Sequence, residues 1–266
     1  MRNTYPLIAA LFLLSATACR KDAKLPAAAQ TNPTSDQLVS LKWSSPNWGF
    51  YEDFQYDATT HLVTYFQGAY NNYLPLIPDG RDSVLEYVSY DQGRASGYGY
   101  SAGNIGADTF HYNSNGLLDT VLFSYGWSVP SWQANKYNTA GELTDIFQYD
   151  GYLNVVVNHY VFTYDNAGDV IQEVDSALAP YPLSVQMVRY SNYDNKVNFI
   201  LSVNGLPYTF LLSFGLPYTF SPHNFGTATI NDTTVINCSY QYNTQGLPTQ
   251  IAYDGDTAVL TYQQYK

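Results

Sequence analysis

Past residue 50 the apolar positions of this chain come in short runs, such as Leu118-Asp119-Thr120-Val121, Leu143-Thr144-Asp145-Ile146 and Val161-Phe162-Thr163-Tyr164, and no long stretch repeats them at helical spacing. Runs of this length, rich in β-branched and aromatic residues and broken by Gly, Asn and Asp, predict strands. The apolar fraction of 45% leans on 27 Tyr and 13 Phe. Such rings suit a half-buried pleated surface, where the ring packs and the hydroxyl stays polar. The pattern predicts an all-β protein.

Between the runs one turn recurs: Tyr, then Asn or Asp, two variable residues, and Gly. It is intact at Tyr112–Gly116, Tyr137–Gly141, Tyr164–Gly168 and Tyr242–Gly246, with degenerate copies starting at Tyr56, Tyr90, Tyr149, Tyr193 and Tyr253. The Asn or Asp opens a type I turn by accepting from backbone two residues on. Gly116, Gly141, Gly168 and Gly246 then take the left-handed position that closes the turn as a bulge. Each copy reads as a tight hairpin. Tandem hairpins over residues 38–266 predict antiparallel pairing into one long, twisted sheet, open or curled toward a partial barrel.

These motif residues resemble the YD repeats of RHS-type proteins, and more closely the YD-like hairpin domains of uncharacterised bacterial lipoproteins. The resemblance spans residues 50–262 loosely and implies architecture only, because the copies are too few to form an enclosing shell.

A second echo, Trp-Ser-x-Pro-x-Trp, places Trp43 and Trp48 in one segment and Trp127 and Trp132 in another, accounting for all four Trp. Two readings stand for them: braces at hairpin junctions, or an indole platform for the apolar faces of sugars. A third echo repeats Gly-Leu-Pro-Tyr-Thr-Phe at residues 205–210 and 215–220.

The first residues form an address. Arg2, the apolar run Leu7–Leu14 and the small residues after it make a cleavable export signal over 1–19. That run is shorter than the roughly 20 residues a membrane-spanning helix needs. Ala16-Thr17-Ala18-Cys19 resembles a lipobox, which implies lipidation of Cys19 and anchoring to the outer membrane, on either leaflet. Soluble secretion is the alternative. Residues 20–37, rich in Ala, Thr, Pro and Ser, read as a flexible tether.

Charge and chemistry narrow the function only by exclusion. A formal net charge of −11 with no basic stripe disfavours nucleic acid. Cys238 lies in a strand-like run and reads as a small buried residue. His61, His111, His159 and His223 lack metal-ligand spacing, and no cofactor or catalytic constellation is visible. Glu52, Asp53, Glu86, Glu142 and Glu173 read as solvated strand faces, and Asp254-Gly255-Asp256 as a hairpin turn. Gly93, Gly97, Gly99, Gly103 and Gly106 read as a mobile loop. The functional expectation is a non-catalytic envelope lipoprotein that binds a glycan or another envelope protein. The alternatives are a structural spacer and a polysaccharide hydrolase.

Overall fold

A computed structural model describes residues 36–44, 49–71, 84–100, 108–123, 131–180, 182–199 and 221–264. Sixteen strands run in chain order: β1 Asp36–Ser44, β2 Gly49–Tyr56, β3 Val63–Asn71, β4 Val84–Asp91, β5 Arg94–Tyr100, β6 Asp108–Tyr112, β7 Leu118–Phe123 and β8 Ser131–Tyr137. They continue as β9 Leu143–Asp150, β10 Val155–Tyr164, β11 Val170–Ala177, β12 Ser184–Ser191, β13 Thr227–Ile230, β14 Thr234–Tyr242, β15 Pro248–Tyr253 and β16 Asp256–Gln264. Every strand pairs antiparallel with its chain neighbours, and β1 pairs with β16 from Asp36↔Gln264 to Ser44↔Thr257.

The sheet is therefore a closed barrel, which corrects the expectation of one long twisted sheet. Local turn chemistry specifies each hairpin, but closure is decided by a register between strands at opposite ends of the chain. Closing the sheet also removes its two edges, which an open array of this length would expose to other chains. The first strand begins at Asp36, two residues inside the segment read as tether.

Connections from even to odd strands lie at one end, here the motif end, together with the start of β1 and the end of β16. The four motif glycines sit there with φ of 79°, 88°, 86° and 81°. At Gly141 the geometry is typical: its N–H donates to Asn138 O at 3.1 Å, while Asn138 Oδ1 accepts from the N–H of Ala140 and Glu142. The degenerate copies at Tyr149 and Tyr253 fall at the opposite, far end, in the β9–β10 and β15–β16 turns.

A bulge follows the turn at each of the four intact motif copies and at Tyr56. Tyr137 pairs with Leu143 but Lys136 with Asp145, leaving Thr144 as the extra residue. The same shift singles out Thr64, Asp119, Ile171 and Thr249. Thr64, Thr144 and Thr249 donate their hydroxyls to Gln55 O, Lys136 O and Gln241 O across the bulge, supplying a partner where the ladder is interrupted. The bulge also shifts the alternation by one residue. Residues three apart then share the inner face: Leu118 and Val121, Leu143 and Ile146, Pro248 and Ile251 are all buried.

The core lines the inside of the barrel. Leu41, Phe54, Val88, Tyr98, Phe110, Val121, Ile146, Phe162, Tyr190, Ile236, Ile251 and Leu260 form one apolar cluster. The outer face is mixed and polar, as β14 shows: Ile236 is buried, while Val235, Asn237, Ser239 and Gln241 are exposed. Gly97 and Gly99, expected in a loop, lie in β5. A Cβ on Gly97 would sit 2.8 Å from Asp108 O, so this glycine allows β5 and β6 to approach.

Candidate functional site: a polar strip on the inner wall

At the motif end the inner wall is apolar and tied by tyrosines. Tyr56, Tyr112, Tyr137 and Tyr164 each end an even strand, Tyr90 lies one residue short of the end of β4, and all five donate to a carbonyl near the start of the preceding odd strand. The acceptors are Leu38, Val63, Ala95, Leu118 and Leu143, at 2.6 to 2.8 Å. Tyr193 bonds Val170 O, Tyr240 bonds Phe225 O and Tyr262 bonds Pro248 O. The rings pack on the core, and their hydroxyls join each hairpin to the one before it. Burial pushes the phenols of Tyr90, Tyr112, Tyr137, Tyr164 and Tyr193 up, Tyr112 to about 12, so these stay neutral donors. The connection between β12 and β13 is pinned at this end too. His223 Nδ1 lies 2.9 Å from Asp169 Oδ2, and Ser221 Oγ accepts from Val170 N–H.

Across β8–β12, further from the turns, the inner wall changes character. Gln133 and Asn135 are buried, and Gln133 Nε2 donates to Asn135 Oδ1 at 2.8 Å. Asn158 Nδ2 donates to Gln148 Oε1 at 2.9 Å across β9–β10. Tyr160 faces Asp175, and Asp175 faces Gln186. Glu173 lies between Phe162 and Val188 and accepts a 2.8 Å hydrogen bond from the Tyr190 hydroxyl. Burial raises both carboxyls above the ordinary carboxylate range. Tyr160 is pushed up to about 12 by burial, with the Asp175 and Glu173 charges adding to the effect.

Glu173 was expected on a solvated face and stands instead on the inner wall. Counting from the motif tyrosine explains why it matters: Val121, Ile146, Glu173 and Ile251 are the equivalent residues of the four intact copies. The other three are 1%, 0% and 1% exposed core aliphatics. One copy therefore places a carboxyl where the building rule calls for a hydrocarbon. Sequence reasoning missed it because alternation counted from Val170 puts Glu173 outside, and the bulge at Ile171 reverses that assignment.

Trp132 does not belong to this strip. Trp132 lies on the outer face and stacks on Tyr149, with ring centroids 4.7 Å apart and planes 9° apart. The neighbouring pair Phe147–His159 stacks at 4.2 Å, with Lys136 Nζ 4.5 Å over the Phe147 ring. The backbone of Trp43 pairs with Phe50 and Ala258. Trp48, Trp127, Cys19 and the echo at 205–220 lie outside the described residues. Cys238 faces Tyr253 across β14–β15 and is half-buried, its thiol pushed up to about 12 by burial. Among the described residues no group of three His, Cys, Asp or Glu side chains is placed to hold a metal ion, and no helix is long and apolar enough to cross a membrane.

No family model and no curated protein matches this chain. Among solved structures it is similar to a porin-like protein from Bacteroides uniformis, with a TM-score of 0.61 and 12% identity over 87% of this chain and 98% of that one. A porin-like protein from Bacteroides vulgatus gives a TM-score of 0.51 and 12% identity over 86% and 99%. At this identity the likeness is one of fold. The chain shares a closed antiparallel β-barrel with both.

Proposed function

We propose that this chain is a non-catalytic envelope lipoprotein whose barrel stands in water and binds a glycan along the inner wall of β8–β12. The observation that carries the reading is the polarity of the wall. A barrel that spans a bilayer turns an apolar band outward, and a midplane Arg or Lys on its lipid face costs about 2–4 kcal/mol. Here the apolar cluster is inside, while Asp53, Asp119, Lys136, Arg189, Asn237 and Gln241 are exposed on outward-facing strand positions. Membrane association then falls to lipidated Cys19 in the outer membrane, with the residues before Asp36 as tether. Because β1 starts at the motif end, the tether joins the end tied by tyrosines.

A hydroxyl-rich ligand suits the strip because amides offer both donors and acceptors at short spacing. Gln148, Asn158, Gln133 and Asn135 supply them beside the rings of Tyr160 and Tyr190. Glycan-array binding by the wild type and by Gln148→Ala/Asn158→Ala tests the reading. Binding reduced in the double variant supports it; binding unchanged, or absent in the wild type, removes it.

A further inference from the structure

We infer that the ligand of this inner strip carries a positive charge, as a glycan with free amino groups would. The inference rests on the binding reading above and specifies its ligand. Three observations carry it.

The first is the position of Glu173. In the three other intact copies that place holds Val121, Ile146 and Ile251, each buried among hydrocarbons. Replacing a core aliphatic with a carboxyl destabilises a barrel unless something in use compensates, because a buried ion needs a counter-charge. The second observation is that, among the described residues, no basic side chain provides one. The described basic residues are Lys42, Arg94, Lys136, Arg189 and Lys196, and all five are exposed. Arg189 adjoins Val188 on β12 but is exposed and paired with Asp232, and Arg94 lies over the Tyr112 ring at the motif end. The third is Asp175, two residues along on the same face. Its Oδ1 is shut off from solvent and has no hydrogen-bond partner, so it is an acceptor with no donor.

The walls around the two carboxyls fix the kind of cation. Tyr160 lies opposite Asp175, Phe162 opposite Glu173, and the Tyr190 hydroxyl is on Glu173. Aromatic faces beside carboxylates favour an organic ammonium, which gains from the ring quadrupole as well as the charge. The flanking amides Gln148–Asn158 and Gln186 are placed for sugar hydroxyls on either side.

The experiment is calorimetric titration of the full chain with the tetrasaccharide of glucosamine, with its N-acetylated counterpart and with tetralysine. The expected result is binding of the glucosamine tetrasaccharide about tenfold or more tighter than the acetylated one, in line with a charge-assisted contact. In Glu173→Gln/Asp175→Asn, a near-isosteric variant, the preference falls to within about twofold, while thermal unfolding confirms that the barrel is intact. Equal binding of the two sugars overturns the charge inference and leaves the glycan reading standing, provided Gln148→Ala/Asn158→Ala abolishes it. A preference that survives in the carboxyl variant, or tetralysine binding in place of the amino sugar, also overturns it. Binding of none of the three removes both.

Discussion

The hydroxyl of Tyr164 donates to the carbonyl oxygen of Leu143 at 2.7 Å, joining the end of β10 to the start of β9. Tyr164 belongs to one motif turn, and Leu143 follows the one before it. Tyr164 therefore does two jobs: its backbone closes one hairpin, and its side chain ties that hairpin to its predecessor.

Tyr164→Phe removes the donor and keeps the ring. Buried carbonyls left without a partner cost about 1–3 kcal/mol, so denaturant unfolding should show a loss of roughly 1 kcal/mol. Tyr137→Phe should lose less, because Leu118 O also accepts from Asn135 Nδ2 at 2.9 Å. Equal losses would mean that the hydroxyls act independently of how well each acceptor is otherwise served.

Gly246→Ala separates backbone strain from crowding. A Cβ there would meet only the Lys196 side chain, 3.6 Å away at its nearest, but φ is +81°. The left-handed conformation costs a residue with a β-carbon about 1–2 kcal/mol, and denaturant unfolding of the variant should show that loss. Gly97→Ala, with ordinary φ but a Cβ 2.8 Å from Asp108 O, should lose more by forcing β5 and β6 apart. A neutral Gly246→Ala would deny the turn its glycine requirement.

The hairpins were legible in the sequence because every residue that makes one lies within five positions. Asn138, its Oδ1 contacts and Gly141 are such a case. The hydroxyl contacts were not legible, since the acceptor of Tyr164 lies 21 residues back and that of Tyr90 lies 27 back. Closure was not legible for the same reason, magnified: it rests on Asp36 meeting Gln264. The degenerate motif copies at Tyr149 and Tyr253 turn the chain at the far end, because sequence similarity does not record which end a hairpin occupies. The inner strip was hidden by the bulges, which reverse the alternation on which any inside–outside reading depends.

Acidification should stabilise the barrel. Burial raises the carboxyl of Glu173, and those of Asp175 and Asp169 shift the same way. A carboxyl raised in the folded state binds its proton more tightly there than in the unfolded chain. Its favourable contribution is complete below the ordinary carboxylate pKa and is lost as pH rises through the raised one. The melting temperature should therefore rise on going from pH 7.5 toward pH 5, and Glu173→Gln should be more stable than wild type at pH 7.5, with a flatter profile. A wild-type optimum at neutral pH that Glu173→Gln leaves unchanged would contradict the buried placement.

Closure can be caught covalently. Lys42 and Val259 face each other across β1 and β16, and both are exposed. Lys42→Cys/Val259→Cys should oxidise to a disulfide within one chain, detected as a faster-migrating band that reductant reverses. An open sheet would leave these thiols free or linked between molecules.

The most direct measurement is the behaviour of residues 20–266, without leader or lipid, in detergent-free buffer and with lipid vesicles. A barrel with its apolar residues inside should stay monodisperse and β-folded in solution, remain in the supernatant when vesicles are pelleted, and conduct no ions across a planar bilayer. Aggregation relieved only by detergent, followed by insertion and conductance, would show that the wall faces lipid and would contradict the account.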